Sequence, residues 1–420
     1  MTPLFHLTWR SVVNRRGTVA LTVVAVALAV AMLLGVERLR TDARDGFART
    51  ITGTDLLVGA RSGPVQLLLY SVFHIGDATN NLSWASVEKI AANPQVAWWV
   101  PIALGDSHRG FRVVGTRPNF FDHYRFGRDG ELAFSEGRAF SGLYDAVVGA
   151  EVAARLGYRT GAKVVVSHGA GLGGAAEHDD KPFEVVGVLA RTGTPVDRSV
   201  LVSLEALEAI HLDWAGGARL PGLSIPADQA RRFDLTPKSV TAVLVGLKSR
   251  AAVFRVQRAI NAIPDEPLTA ILPGVTLHAL WGVVAIAERA LLAVSAVVVL
   301  VGLAGLVAVV MAGLGERRRE LAILRALGAS PPQVFMLLVV ESLFIGVLGC
   351  VFGLGLVQAG AIVVGPWLEA YHGIALVPGW PRPGEWALLG GVMVTTLGAS
   401  LLPGLRAYRY AIADGMTIRI

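Results

Sequence analysis

The sequence predicts an α-helical integral membrane protein with four transmembrane helices and a large α+β domain outside the membrane. Three observations predict it. The 420 residues are 53% hydrophobic and only 17% charged, whereas a soluble chain carries about a quarter charged residues. The apolar excess is gathered in a few runs near the two ends, where an enlarged soluble core would have spread it out. Between the first and second runs lies a long stretch of short Val-rich segments bounded by Gly, Asp and Pro, the punctuation of a folded domain.

The first apolar run covers residues 18–36, TVALTVVAVALAVAMLLGV, within an N-terminal region of 1–40. Arg10, Arg15 and Arg16 before it, and Ala29-Val30-Ala31 inside it, imitate a secretory signal. The run exceeds the about 7–15 apolar residues of a signal core, so it reads as an uncleaved anchor. The other spans are 290–313, 335–364 and 386–405 within a C-terminal region of 289–420. Each reaches the roughly 20 residues that cross a bilayer; the third is longer and has to tilt or protrude.

Orientation follows from Lys and Arg near the spans. Arg10, Arg15 and Arg16 flank the first, Arg317, Arg318, Arg319 and Arg325 fill the segment 314–334, and Arg406 and Arg409 follow the fourth, whereas the loop 365–385 holds only Arg382. Both termini and segment 314–334 are therefore expected in the cytosol, with the chain passing the membrane several times. Arg38, Arg40, Arg44 and Arg49 oppose this bias, but they open a long domain whose translocation is less sensitive to charge. Trp367, Tyr371, Trp380 and Trp386 suit an outer interfacial belt against the membrane lipids.

The domain between the first two spans, 41–288, reads as α+β. Strands are expected at 111–116, 146–150, 163–168, 183–190, 199–203 and 241–247, and helices at 151–157, 204–211 and 249–263. Stretch 54–83 follows no regular period; its patch VQLLLYSVF is too short to span and reads equally as a core strand or as a helix at the membrane or on a partner.

Several chemistries are excluded. There is no P-loop, so the chain itself does not bind ATP in that manner, and no zinc-protease, nucleophile-elbow or kinase motif marks it as an enzyme. GAGLGG at 169–174 is followed by AAEHDD and a strand, so it reads as a loop. The net charge of +6 is scattered, with no basic–aromatic pattern for nucleic acid. The lone Cys350 sits in an apolar run and forms no intrachain disulfide or cysteine zinc site.

Two constellations carry candidate chemistry. SHGAGLGGAAEHDDK at 167–181 brings His168, Glu177, His178 and Asp179 close in sequence, with His211 and Asp213 in IHLDW further on. Imidazole and carboxylate are sound ligands for Zn²⁺, although acidic residues and Gly also furnish ordinary polar turns. In the third span, Glu341 is a carboxylate in an apolar run, which marks it for a structural or coupling role. Gly346, Gly349 and Gly353 share that span, and the Gly349–Gly353 spacing permits close helix contact within the chain or across a dimer.

The charged segment between the second and third spans reads as a short amphipathic helix. Leu321, Leu324 and Leu327 form a stripe, Gly328 stops the helix, and Pro331-Pro332 begin the next element. Such a helix can dock in a groove of a partner and pass its motion to the attached spans.

ERRRELAILRALGASPPQVFMLLVVESLFIGVLGCVFG at 316–353 resembles the signature of the FtsX-like permeases, the MacB/LolC/LolE type of ABC transporter. Glu316, Arg317, Glu320, Leu321, Leu324, Arg325, Ala326, Leu327, Gly328 and Ala329 match it position by position, and Glu341-Ser342, Gly346, Gly349 and Gly353 continue it. Segments 147–166 and 183–207 are similar to that family's periplasmic domain, whereas the tail LPGLRAYRYAIADGMTIRI departs from the usual ending. The resemblance implies a MacB-like external domain with a Porter-like part and a smaller variable part, in a bacterial inner membrane. It implies a non-catalytic, dimeric permease, homo- or heteromeric, coupled through 316–328 to a separate cytosolic ABC ATPase, two copies of which bind ATP and Mg²⁺. Such mechanotransmission acts on a periplasmic lipoprotein, peptide, lipid or adaptor. Two other readings stand beside it: a signalling platform regulating a periplasmic enzyme such as a wall hydrolase, and a zinc-handling component.

Overall fold

A computed structural model describes residues 16–127, 129–168, 178–215, 218–219, 225–316, 323, 325–372 and 376–408. The chain divides into two units: residues 1–43 with 284–420, and Arg44–Val283.

Four helices carry the apolar runs: α1 (Arg16–Thr50), α8 (Pro273–Glu316), α9 (Pro331–His372) and α10 (Pro383–Tyr408). All four are long and apolar enough to cross a membrane. Each outruns the run read from the sequence, because a helix once nucleated propagates through the residues that flank it. The expected loop 365–385 is correspondingly shorter, since α9 continues through Pro366 to His372. The start of α9 is fixed by Ser330, whose backbone N–H donates to Gln333 Oε1 at 2.8 Å while its carbonyl accepts from Gln333 N at 3.0 Å.

Within this unit the glycines of α9 are contact points. A Cβ on Gly349 would lie 2.8 Å from Val26 Cβ, and one on Gly353 would lie 2.7 Å from Val30 Cγ1, so both glycines receive α1. A Cβ on Gly346 would lie 2.9 Å from Thr396 Cγ2 on α10. The GxxxG spacing thus serves packing inside the chain. Glu341 is buried on α9 beside the fully buried Ser342. Trp367, Trp380 and Trp386 are exposed, as an interfacial belt requires.

The other unit is built on one sheet of eleven strands. They are β1 (Leu56–Ala60), β2 (Val96–His108), β3 (Phe111–Thr116), β4 (Phe134–Gly137), β5 (Asp145–Val148), β6 (Lys163–Val164), β7 (Ser167–His168), β8 (Phe183–Leu189), β9 (Ser199–Ser203), β10 (Ala242–Leu247) and β11 (Leu268–Ile271). Their order is β11-β1-β10-β2-β3-β9-β5-β8-β4, with β7 added to β2 and β6 to β8. The pivot is β2. Its first half pairs with β10 from Val96 to Ile102, and its second half pairs with β3 from Ala103 onward, with a register shift between Leu104 and Ser107. The bulge lets one strand serve two lobes.

The first lobe packs α3 (Trp84–Ala91) and α7 (Val253–Asn261) over Leu56, Val58, Val243 and Val245. The short α4 (Phe120–His123) follows β3, and the second lobe packs α5 (Ala150–Leu156) and α6 (Leu204–His211) over Val113, Val148, Val185 and Val202. The patch VQLLLYSVF is helix α2 (Pro64–Val72), with Leu67, Leu68 and Tyr70 at most 2% exposed. It is a core helix, and the strand, membrane-surface and partner-gripping readings fall away because its apolar side is already covered by the domain itself.

Candidate functional site

Three histidines distant in sequence meet in the second lobe. Strand β7 pairs with β2 so that His168 faces Asp106, and His168 Nδ1 lies 3.0 Å from Asp106 Oδ1. A carboxylate only accepts, so Nδ1 carries a proton toward it, and in the neutral ring that leaves the lone pair on Nε2. Helix α6 is capped by Ser203, whose hydroxyl accepts from Ala206 N at 3.1 Å, and its last turn delivers His211. His178 is held by its backbone N–H, which donates to the Val166 carbonyl at 2.9 Å.

A buried ion pair fixes two of these segments. Lys181 Nζ donates to Asp213 Oδ1 at 2.6 Å, with both side chains 0% exposed, and to Asp180 Oδ2 at 3.0 Å. Asp213 Oδ2 also accepts from Ile225 N at 3.4 Å. Burial pushes the Asp213 carboxyl up, but the bonds from Lys181 and Ile225 more than offset it and leave it below its usual range. The pair therefore ties the residues after His178 to those after His211.

The ring centroids of His168 lie 4.7 Å from His178 and 4.6 Å from His211, and those of His178 and His211 lie 5.0 Å apart. One nitrogen from each falls within 4.8 Å of the others. Trp214 packs on the group, 4.3 Å from His178. His168 Nε2, His211 Nε2 and both nitrogens of His178 are buried without a hydrogen-bond partner among the described residues. An unsatisfied buried polar group costs about 1–3 kcal/mol. His108, at the end of β2, shows the ordinary alternative: Nδ1 meets the Val165 carbonyl at 2.6 Å and Nε2 meets the Tyr158 hydroxyl at 2.8 Å. Burial, aided by His211 and His168 nearby, pushes His178 down to about 4, and burial lowers His211 against the pull of Asp106. At neutral pH these imidazoles carry lone pairs and no charge.

Of the residues the sequence offered for this cluster, the structure brings together His168, His178 and His211, while Asp213 pairs with Lys181. Asp179 is exposed and outside the group, and Glu177 lies outside the described residues. His211 and Asp106 take the places those carboxylates were expected to fill. Nothing local signals Asp106, which strand pairing brings in from 62 residues before His168.

Of the coupling residues, Arg317, Glu320, Leu321 and Leu324 lie outside the described residues, as does the side chain of Glu316. Arg325 is helical, and the turn closes with Leu327 N donating to Ile323 O at 2.9 Å and Gly328 N donating to Arg325 O at 3.0 Å. Gly328 has φ +102°, a conformation that glycine adopts freely and that ends the helix. Leu327 and Ile323 are 81% and 52% exposed.

Residues 19–263 match the model of the MacB-like periplasmic core domain, and residues 292–412 match that of the FtsX-like permease C-terminal domain. The chain belongs to the FtsX-like permease family of ABC transporters, with a MacB-like periplasmic core domain. It is 24% identical over 229 residues to the uncharacterized ABC transporter permease MJ1507 of Methanocaldococcus jannaschii, covering 54% of this chain and 51% of that protein. It is 24% identical over 239 residues to the macrolide export ATP-binding/permease protein MacB of Wolinella succinogenes, covering 55% of this chain and 33% of that one. The chain thus spans about half, or a third, of these curated relatives. A stretch is also 32% identical over 218 residues to the adenosylcobinamide-GDP ribazoletransferase of Pseudomonas aeruginosa, covering 51% of this chain and 76% of that protein. The two family models already claim residues 19–263 and 292–412, so this likeness falls on residues assigned to the permease family and carries no functional conclusion. Among solved structures, the periplasmic region of MacB from Actinobacillus actinomycetemcomitans is similar at 10% identity and a TM-score of 0.33, over 55% of this chain and 94% of that one.

Proposed function

We propose that this chain is the transmembrane subunit of an ABC transporter complex, coupling ATP hydrolysis by a separate cytosolic ATPase to movement of its periplasmic domain. The observation that carries the reading is the succession of the two family domains on one chain, with the charged segment 316–329 lying inside the second. The arginine distribution supports cytosolic termini and a cytosolic segment 316–329. Exposed Ile323 and Leu327 beside Arg325 supply an apolar and cationic face for a groove on the ATPase. In this reading two permease subunits and two ATPases assemble, ATP and Mg²⁺ stay on the ATPases, and the cargo is a lipoprotein, peptide, lipid or other periplasmic molecule.

The test is co-expression of this chain with a cytosolic ABC ATPase from the same source, followed by copurification and measurement of ATP turnover. Copurification that is lost in Arg325→Glu, with membrane insertion intact, is the expected result. Arg325→Glu recovered with the ATPase at wild-type yield would remove the docking assignment. Absence of any ATPase from the wild-type preparation would make the chain an anchored binding module.

A further inference from the structure

We infer that His168, His178 and His211 form a three-nitrogen site for a divalent transition metal of the Zn²⁺ class, with Asp106 orienting His168. The inference stands on the periplasmic unit alone and does not depend on coupling to an ATPase.

Three features of the cluster lead there. The first is convergence: the ligand nitrogens already lie within 4.8 Å of one another. Zinc bound at about 2.0–2.1 Å in tetrahedral geometry needs nitrogens about 3.4 Å apart. The widest pair therefore has to close by at most about 1.4 Å for zinc to be bound in tetrahedral geometry.

The second is the orphaned lone pairs. Four imidazole nitrogens are buried with no hydrogen-bond partner among the described residues, and His178 is 0% exposed. Histidines kept for packing are satisfied as His108 is, by a carbonyl and a hydroxyl. An ion is the partner that satisfies three converging lone pairs at once.

The third is the support around the rings. A metal-bound imidazole commonly donates its other N–H to a carboxylate, which fixes the tautomer and ring plane and raises basicity. Asp106 does this to His168, and its other oxygen lies 3.8 Å from His211 Nε2. The buried Lys181–Asp213 pair braces the segments carrying His178 and His211. The side chains of His168 and His211 remain 25% and 31% exposed, which leaves the ion a way in.

The donor set is all nitrogen with carboxylate support and no thiolate, which suits Zn²⁺, Ni²⁺ or Cu²⁺ over Cu⁺. Three protein ligands leave the fourth tetrahedral position to water or an exchangeable donor.

The test uses the full chain in detergent, stripped with chelator, loaded with Zn²⁺ and desalted before metal analysis. One zinc retained per chain, with a Tm that rises with free Zn²⁺, is expected. Retention should vanish in His178→Gln, and Asp106→Asn should weaken binding about 10–100-fold. Because a variant can misfold, Co²⁺ is also titrated into the wild type, where tetrahedral d–d bands are expected. Three results overturn the inference: no zinc held by the wild type, only octahedral cobalt bands, or equal zinc retention after His168→Gln, His178→Gln and His211→Gln combined.

Discussion

Arg38 clamps Glu385 through two parallel bonds, Nε to Oε1 at 2.9 Å and Nη2 to Oε2 at 2.8 Å, with the side chains 3% and 1% exposed. The pair joins α1 to α10. Around it Arg382 binds Asp42 and donates to Thr41 Oγ1 at 2.6 Å, while Arg40 binds Glu37 at 2.7 Å and lies 3.8 Å from Glu288. Of the four arginines that oppose the charge bias of the sequence, Arg38 and Arg40 are thus neutralised by carboxylates of their own unit. Removing one partner strands a buried charge, at a cost of about 3–5 kcal/mol. Glu385→Leu should therefore lower the detergent Tm strongly, and Arg38→Met added to it should recover most of the loss. Unchanged unfolding of the single variant would show that the pair contributes nothing.

The contact of α9 with α1 makes a second prediction. Gly349→Leu forces side-chain atoms into Val26, and overpacking of this kind costs about 1–3 kcal/mol. Among the described residues nothing lies within 4 Å of where a Cβ on Gly355 would stand, so Gly355→Leu should be neutral or slightly stabilising through helix propensity. Equal loss in both variants would make the GxxxG spacing incidental.

Acid should loosen the periplasmic unit. Burial, with Arg112 nearby, pushes His74 from 6.5 down to about 4 in the folded state. Between those values the unfolded chain binds a proton that the folded chain refuses, so the stabilisation is complete above about 6.5 and fades as pH falls toward 4. His74 has φ 55° and meets Ser199 Oγ at 3.3 Å through Nδ1. Asn tolerates that backbone, so His74→Asn should flatten the pH dependence of denaturant midpoints between pH 7 and 5. His178 titrates in the same window and will keep part of the slope. An unaltered slope would place the acid sensitivity elsewhere.

Lys181 and Asp213 are an independent case of buried charge. Lys181→Met leaves the Asp213 carboxylate with the Ile225 amide but without its cation, an expected loss of about 3–5 kcal/mol. Adding Asp213→Asn removes the stranded charge and should restore a substantial part. If both forms unfold together, the pair is not what braces the histidine segments.

Legibility from sequence followed the environment of each segment. Phe111–Thr116, Phe183–Leu189 and Ser199–Ser203 were readable as short Val-rich runs between turn residues. Leu56–Ala60 was not, because all five of its residues are buried and neither face leaves a polar alternation. Val96–His108 was hidden by its length and bulge, which break a period of two. In the histidine cluster, proximity in sequence favoured Glu177 and Asp179 beside His168 and His178. The true neighbours arrive by tertiary routes: Asp106 through strand pairing, and His211 through the end of α6 and the Lys181–Asp213 tie.

The pairing of β1 has a consequence for synthesis. Leu56–Ala60 bonds β10 and β11, whose residues begin at Ala242 and Leu268. At about 5–20 residues per second, this strand waits roughly 10–40 s before both its neighbours exist. During that interval a wholly apolar edge stands open in the nascent chain, the kind of template on which strands of other chains assemble. Chains arrested at residue 235 should therefore be cut readily near Leu56–Ala60 and released chains should not; equal resistance would mean that another segment shields the strand first. The order of the strands makes the first part of the domain to be made among the last to be secured.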